Sequence, residues 1–168
     1  MSLPLKIEKD FLPREQFDFM VAKIVDDVPW WIGKIHYDTP ENRFKNMQMV
    51  HYFYEHHTPN KQTVELIYPI LEKVQPCAVI KIKANLVMAT DTIVEHGLHR
   101  DVEGAEHLND LKTSILYLND NDGYTKFEDG TKHQSVANTM VTFPNSLLHT
   151  GSTCTNEHCR LVLNLNYI

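Results

Sequence analysis

The sequence predicts a mainly β protein, a sandwich, jelly roll or barrel with helices packed on its outside. In the first part of the chain apolar residues recur at helical spacing, whereas from Cys77 onward the pattern is that of short strands. The segments between these strands carry turn chemistry, in Asn121-Asp122-Gly123, Asp129-Gly130 and Pro144-Asn145. Many short strands joined by tight turns are typical of these architectures.

The length and charge of the chain limit what it does. Its 168 residues are enough for one domain, and no internal repeat, linker or low-complexity segment divides them. We expect a single domain over 1–168, with a helical and aromatic N-terminal part (1–76) and a strand-rich core (77–168). The formal net charge is −6, from 16 Lys and Arg against 22 Asp and Glu. The basic footprint of nucleic-acid binding is missing, so no nucleic-acid partner is expected.

A soluble, cytoplasmic protein is also expected. No stretch approaches the roughly 18 apolar residues of a membrane span, and the first residues lack the apolar core of a secretory signal. Cys77, Cys154 and Cys159 cannot form a disulfide framework, and their spacing lacks the paired CxxC steps of a structural zinc site. We expect them to be small reduced side chains.

Two helices are expected in the N-terminal part. After Pro13, apolar residues at three- and four-residue steps predict an amphipathic helix. A second helix is expected between Asn60 and Lys73, and Pro69, which lacks a backbone donor, should kink or break it. The apolar face of the first helix consists of Phe17, Met20, Val21, Ile24 and Val25.

Residues 29–60 show no clear period but hold much of the aromatic content. These aromatic side chains are expected to pack the segment on the core. The alternative is a lid or wall over a substrate pocket, because long irregular segments in compact domains are often functional.

The strand-rich core is expected to begin at Ala78–Met88. The even positions of this segment are apolar, while Lys81, Lys83 and Asn85 alternate between them. This pattern predicts a half-buried strand with its two lysines facing solvent. The further strand candidates are Thr90–Glu95, Thr113–Asn119, Tyr124–Glu128, Lys132–Ala137, Thr139–Phe143 and Cys159–Tyr167.

Histidine is the unusual feature of the composition, because the chain has ten and histidine is the commonest metal ligand. His96 lies three residues before His99 and would face the other way along a strand, which favours a loop or supporting role over metal binding. Polar, turn-like surroundings favour a surface position for five others, His56, His57, His107, His133 and His158.

A metal-binding pattern lies in His99-Arg100-Asp101, between two strand candidates. In an extended chain residues i and i+2 project to the same side, so His99 and Asp101 can bind one ion. His149, 48 residues after Asp101, is a candidate third ligand. Two His and one carboxylate on one face of an octahedron suit non-haem Fe(II), which must also bind a chelating co-substrate and O2. For an isolated HxD pair, a turn histidine beside a solvated carboxylate is the competing interpretation.

The last strand candidate favours the metal site. The odd positions of Leu161–Tyr167 are apolar, whereas Arg160, Asn164 and Asn166 lie on the opposite face. If the apolar row packs against the helices, Arg160 faces the interior of the barrel. A buried guanidinium requires an anion, and a ligand carboxylate matches its planar pair of donors.

The ordered set His99-Arg100-Asp101, His149 and Arg160 resembles the HxD…H…R signature of the 2-oxoglutarate and Fe(II)-dependent oxygenases, specifically their prolyl-4-hydroxylase-like branch. The chain also looks like the small oxygenases of marine phages and bacteria. The resemblance covers about residues 78–168, the last half. Three more segments are similar to motifs of this branch, Ser114–Asn119 to its YLN strand, Gly123–Phe127 to its GGET-x-F segment and Val141–Asn145 to the lead-in to the distal histidine.

This resemblance implies a double-stranded β-helix, the cupin-like jelly roll, with His99, Asp101 and His149 as ligands of Fe2+. Arg160 would pair with the distal carboxylate of 2-oxoglutarate, and Tyr117 would donate a hydrogen bond to it. Val162 stands where other branches carry Ser or Thr, and Asn164 is the candidate replacement for that helper group.

The implied activity is that of a dioxygenase that uses O2 and 2-oxoglutarate as co-substrate. It would hydroxylate a peptidyl (prolyl-like) or small-molecule substrate and release succinate and CO2. One departure is Tyr124, which stands where the family often has Gly or Glu.

Two alternatives stay open. A cupin-type metal dioxygenase that does not use 2-oxoglutarate would have no need of an inward Arg160 and Tyr117. A catalytically silent metal- or ligand-binding module is the other alternative, and the complete set of three ligands argues against it. The sequence predicts neither the primary substrate nor the oligomeric state.

Overall fold

The computed structural model describes residues 4–33, 35, 48–105 and 108–168. The helices in these ranges are α1 (Arg14–Asp26) and α2 (Tyr68–Val74), and a 3-10 turn at Val64–Ile67 precedes α2. The strands are β1 (Lys6–Glu8), β2 (Trp31–Gly33), β3 (Gln48–Glu55), β4 (Thr58–Pro59), β5 (Val79–Met88), β6 (Lys112–Tyr117), β7 (Tyr124–Phe127), β8 (Lys132–Gln134), β9 (Thr139–Pro144), β10 (His149–Gly151) and β11 (Cys159–Tyr167).

The described strands form two antiparallel sheets, which confirms the mainly β fold class. The larger sheet has eight strands in the order β1-β9-β6-β11-β5-β3-β2, with β4 paired to β3. The smaller sheet has the order β10-β7-β8. Neighbouring strands come from distant parts of the chain, as in a jelly roll.

Both predicted helices are present, with one change of position. Helix α1 buries Phe17, Met20 and Ile24, whereas Val25 is 46% exposed. Pro69 lies in the first turn of α2, where a missing N–H loses no intrahelical bond, and a 3-10 turn replaces the helix before it. The predicted break is therefore confirmed. Neither described helix is long and apolar enough to cross a membrane.

The sequence pattern does not predict strands β1 to β4. The register of β3 against β5 shifts between Tyr52 and Tyr54, and this irregularity interrupts the alternation by which a strand is recognised. Phe53 at the shift is fully buried, so this aromatic side chain packs on the core as expected. Residues 34 and 36–47 of this segment lie outside the described residues, so the lid alternative for 29–60 stays a prediction.

In the C-terminal half the predicted strands are confirmed as β5, β6, β7, β8, β9 and β11, with bounds that differ by up to three residues. The strand predicted at Thr90–Glu95 is wrong, because only Glu95 pairs there, in a single bridge with Ser152. The hydroxyl of Thr153 accepts the backbone N–H of Val94 at 2.9 Å and so takes the place of a strand partner.

The side chains of strand β11 alternate between the two faces of the larger sheet. Leu161, Leu163 and Leu165 belong to the main apolar core with α1 and α2, as predicted. Arg160 and Asn164 lie on the other side, where the smaller sheet covers them. A second apolar cluster on that side consists of Ile115, Tyr117, Phe127, Val141, Phe143 and Val162.

The expectation that Lys81 and Lys83 face solvent is wrong. Lys83 pairs with Asn164 in the register of β5 against β11, and paired residues project to the same face of a sheet. The two lysines therefore point to the side that the smaller sheet covers, and neither is fully exposed.

Candidate functional site

Two histidines far apart in the sequence pair through their backbones. His99 and His149 form an isolated antiparallel bridge, with N–H···O distances of 2.9 and 3.1 Å. Their side chains project to the same side, and the ring centroids are 4.9 Å apart. Asp101, two residues after His99, projects with them as the spacing predicts.

The three predicted metal ligands form one cluster. The Nε2 atoms of His99 and His149 lie 3.6 and 3.8 Å from Oδ1 of Asp101. One donor atom from each residue lies within 4.8 Å of the other two. Two imidazole nitrogens and a carboxylate oxygen on one side of an ion form a facial triad, the donor set of non-haem Fe(II) sites.

Each imidazole is prepared for metal binding by its surroundings. The Nδ1 atom of His99 lies 3.0 Å from the carbonyl oxygen of Gly97, which can accept its proton, so Nε2, the nitrogen that faces Asp101, is the one that would bind a metal. Phe143 packs edge-on against His149, with ring centroids 4.8 Å apart. Burial lowers the pKa of His149 to about 4, so this imidazole is neutral near pH 7.

The carboxylate of Asp101 is held by two asparagines of β11. Its Oδ2 accepts hydrogen bonds from the amide nitrogens of Asn166 at 3.1 Å and Asn164 at 3.4 Å. Burial opposes its charge, but the hydrogen bond to His99 and nearby positive groups hold the pKa of Asp101 well below its ordinary value. The metal cluster therefore contains an ionised carboxylate in a buried position.

Asn164 has a contact that the sequence does not predict. Its side chain lines the cavity beside the metal cluster, where a helper group for the co-substrate was expected. Its amide nitrogen contacts Asp101, while its Oδ1 is buried and has no hydrogen-bond partner among the described residues. Asn166, for which the sequence indicates no role, makes the shorter bond to Asp101.

Arg160 is a buried cation, only 4% exposed. Its Nε donates to the hydroxyl of Ser135 at 2.8 Å and its Nη2 to the hydroxyl of Thr125 at 3.0 Å. Burial lowers the pKa of Arg160, and no carboxylate among the residues in the described ranges forms an ion pair with it. The guanidinium thus has neutral partners and room for an anion.

Tyr117 lies behind Thr125 and not in the wall of the cavity. Its hydroxyl donates to Oγ1 of Thr125 at 3.0 Å, and the guanidinium carbon of Arg160 lies 5.6 Å from the centre of its ring. Thr125 lines the cavity. Because Thr125 Oγ1 accepts hydrogen bonds from both Tyr117 and Arg160, its own O–H remains to donate to a ligand.

Sequence reasoning missed Thr125 and Ser135. The signal for Thr125 was available, since it lies in Gly123–Phe127, the segment similar to GGET-x-F. Ser135 follows β8 and carries no motif, so only the fold brings it to Arg160.

A cavity of about 80 Å³ connects the metal cluster with Arg160, and Val87, Ile115 and Val162 form its apolar wall. Gly151 leaves the space in front of Arg160 open, because a Cβ at this position would lie 3.1 Å from Nη1. A groove of about 310 Å³ adjoins this cavity on the side of the metal cluster. A wider cavity of about 440 Å³, beside β1, β9 and α2, contains none of the predicted site residues.

The remaining histidines have other positions. His56, His57 and His158 are exposed, as predicted. The surface position predicted for His133 is wrong, because it is half-buried and its ring stacks on Tyr117 with centroids 5.4 Å apart. His96 lines the cavity from a loop without joining the metal cluster, and the prediction for residue 107 falls outside the described residues.

No protein-family model and no curated protein matches this sequence. Solved structures do match. A prolyl hydroxylase of Trichoplax adhaerens, in complex with a peptide fragment of the hypoxia inducible factor oxygen degradation domain, aligns with a TM-score of 0.70 at 10% identity, over 99% of this chain and 84% of that one. The viral collagen prolyl hydroxylase of Paramecium bursaria Chlorella virus-1, as a 2-oxoglutarate complex, aligns with a TM-score of 0.64 at 14% identity, over 96% and 93%.

A third match is the non-haem α-ketoglutarate-dependent epimerase SnoN from nogalamycin biosynthesis, with a TM-score of 0.65 at 12% identity, over 98% of this chain and 77% of that one. At these identities the matches show the fold. This chain has the double-stranded β-helix of the 2-oxoglutarate/Fe(II) oxygenases, as the sequence resemblance implies.

Proposed function

We propose that this chain is a 2-oxoglutarate- and Fe(II)-dependent oxygenase. His99, Asp101 and His149 would hold the iron, and Arg160 would pair with the distal carboxylate of 2-oxoglutarate. The observation that carries the proposal is the buried guanidinium of Arg160, which opens on the same cavity as a facial triad of metal ligands and has no carboxylate partner in the described part of the chain.

The residues of the site fit both an iron ion and 2-oxoglutarate. A buried, ionised Asp101 and two imidazole Nε2 atoms favour a divalent cation. The dicarboxylate co-substrate is favoured by Arg160, whose ordinary hydration is lost and whose hydroxyl partners are neutral. When bound, the iron would supply the activation of O2 that couples decarboxylation of 2-oxoglutarate to oxidation of the substrate.

The protein's own contribution is binding and orientation. Arg160 and the O–H of Thr125 would hold one end of the co-substrate, and the two asparagines behind Asp101 would keep its Oδ1 directed at the metal. The apolar wall at Val87 would exclude water from the co-substrate.

Both alternatives are less well supported. A metal dioxygenase without 2-oxoglutarate would gain nothing from a buried guanidinium without an anion, because such a group costs free energy unless a ligand pairs with it. The complete set of three metal ligands argues against a silent binding module.

The fold does not determine the substrate. A peptide or a small molecule is the substrate class we propose, and the related folds include a prolyl hydroxylase with a bound peptide and an epimerase of nogalamycin biosynthesis. We also propose that 1–168 form one oxygenase domain, because β1 and β3 pair with β9 and β5 of the core. A cytoplasmic location stays a prediction.

An anaerobic titration tests this function. Adding Fe(II) and then 2-oxoglutarate to the purified chain should give a charge-transfer absorption band, and admitting O2 should give succinate. His149→Ala, which removes a metal ligand, should abolish both signals. If the wild-type chain shows neither the band nor succinate, the proposed function is wrong.

A further inference from the structure

Lys83 is a cation at the junction of two cavities. It lines the small cavity that contains the metal cluster and also the adjoining groove of about 310 Å³. Its side chain projects from the middle of β5 toward the inside and is only partly exposed. A ligand in the groove would therefore meet this ammonium group next to the metal.

Neighbouring cations are already engaged. Lys81 donates to the backbone carbonyl of Asp101 at 2.8 Å, and Arg100 donates to that of Ser146 at 2.9 Å. Among the residues that the structure describes, the ammonium group of Lys83 has neither a hydrogen bond nor an ion pair. Burial lowers its pKa, and the more distant carboxylates of Asp101 and Glu55 offset this only in part. A partly buried cation without a partner is unfavourable unless a ligand supplies the negative charge.

The position of Lys83 separates it from the co-substrate. Along β11, the partner of Lys83 is Asn164, and Arg160 lies four residues earlier, opposite Val87. Four residues of a strand span about 13 Å. Asn164 contacts Asp101, so the metal cluster lies at the Lys83 end of this span. A co-substrate that reaches from Arg160 to the metal leaves Lys83 for a second ligand.

The charged residues of the groove restrict the charge distribution of that ligand. Within the described part of the chain Lys83 is the groove lysine with no hydrogen bond or ion pair, while Glu55 and Glu103 place carboxylates in the same groove. A phosphate dianion would be repelled by these carboxylates, whereas one negative charge on Lys83 and a positive group toward the glutamates are complementary. Tyr52 contributes an aromatic side chain to the wall.

We propose that Lys83 binds the carboxylate of the primary substrate, and that this substrate is a small molecule of the amino-acid type lying in the groove. The proposal rests on the oxygenase function proposed above. It selects between the two substrate classes, because a residue inside a peptide chain has no α-carboxylate to offer.

The test uses the full chain loaded with Fe(II) and 2-oxoglutarate without O2, to which the standard L-amino acids and their α-carboxamides are added. A change in the charge-transfer band reports binding without turnover, and succinate release after O2 is admitted reports coupling. At least one amino acid should bind and stimulate succinate release, and its carboxamide should bind at least tenfold more weakly.

Three variants isolate the charge of Lys83. Lys83→Gln should weaken binding of that amino acid at least tenfold and of its carboxamide less than twofold, whereas Lys83→Arg should retain binding. Lys61→Gln, at an exposed lysine outside the groove, should bind the amino acid as the wild type does. Thermal unfolding of each variant checks that it is folded.

Several results would overturn the proposal while the oxygenase function stands. They are equal binding of acid and carboxamide, no response to any of the amino acids, and retained binding in Lys83→Gln. A tenfold loss of 2-oxoglutarate affinity in Lys83→Gln would assign Lys83 to the co-substrate and overturn it as well. Failure of the proposed function is a different result, since the wild-type band would then be missing.

Discussion

The amide nitrogen of Asn166 lies 3.1 Å from Oδ2 of Asp101, while Oδ1 of the same carboxylate lies near His99 and His149. The amide also reaches the hydroxyl of Thr113 at 3.1 Å, and Asn166 is fully buried. Asn166 therefore fixes the orientation of the Asp101 carboxylate, so that its Oδ1 faces the two imidazoles. Partners of this kind set how well a metal ligand is oriented before the metal arrives.

We predict that Asn166→Leu weakens Fe(II) binding by about 10- to 100-fold, because Oδ2 of Asp101 loses its shorter hydrogen bond. A competition titration with a chromophoric chelator, without 2-oxoglutarate, measures the affinity. Asn109→Leu, at an exposed position away from the cluster, is the control and should bind as the wild type does. A folded Asn166→Leu protein with unchanged affinity would show that this contact does not orient the ligand.

The hydroxyl of Thr125 should matter more for 2-oxoglutarate than that of Tyr117. We predict that Thr125→Val weakens 2-oxoglutarate about tenfold, or about 1.4 kcal/mol, since the ligand and Arg160 both lose a partner. Tyr117→Phe, which removes a donor to Thr125 and a longer contact with the backbone carbonyl of His133, should weaken it less than about threefold. Anaerobic titration of the charge-transfer band measures both values. The opposite order would mean that Tyr117 reaches the co-substrate directly.

Much of the site could be predicted from the sequence because the patterns that indicate it are local. The step from His99 to Asp101 and the alternation in β11 depend only on strand geometry, and the structure reproduces both. Residues that are far apart in the sequence and come into contact only in the folded chain have no such local pattern. Ser135 reaches Arg160 across 25 positions, and Asn166 reaches Asp101 across 65.

Lys83 shows a second limit of sequence patterns. Its alternation with apolar residues in β5 predicts one polar face, but a strand face that lines a ligand cavity is as polar as one that faces water. Strand β3 shows a third limit, because its register shift at Tyr52 breaks the period of two. Strand β10 has only three residues and therefore no period to detect.

The charge of Arg160 should destabilise the protein when 2-oxoglutarate is absent. We predict that Arg160→Met leaves the melting temperature of the ligand-free protein unchanged or raises it, because a buried cation without a carboxylate partner is replaced by an apolar chain of similar length. The rise in melting temperature on adding 2-oxoglutarate and metal should be lost. Arg160→Lys, which keeps the charge but not the planar pair of donors, should retain part of that rise. A large loss of ligand-free stability in Arg160→Met would contradict this account.

Glu95 ties the chain before His99 to the smaller sheet. Its carboxylate accepts hydrogen bonds from Lys126 at 2.7 Å, Lys132 at 3.0 Å and the hydroxyl of Tyr124. Led by the bond from Lys126, these contacts lower the pKa of Glu95 from 4.5 to about 2. The pKa of Glu95 is lower in the folded state than in the unfolded state. The ionised carboxylate therefore stabilises the fold at a pH above its unfolded pKa, and this contribution is lost as the pH falls toward its folded pKa.

We therefore predict that Glu95→Gln lowers the free energy of unfolding at pH 7 by about 1–2 kcal/mol, a value reduced from the full linkage because solvent screens a side chain that is 31% exposed. The difference from the wild type should persist down to about pH 4.5 and disappear near pH 2, the two pKa values of Glu95. Urea unfolding at a series of pH values measures it. Glu65→Gln, at an exposed residue of the 3-10 turn, is the matched control for loss of one carboxylate. A difference between Glu95→Gln and the wild type that does not change between pH 7 and pH 2 would show that the ionised carboxylate is not what stabilises this contact.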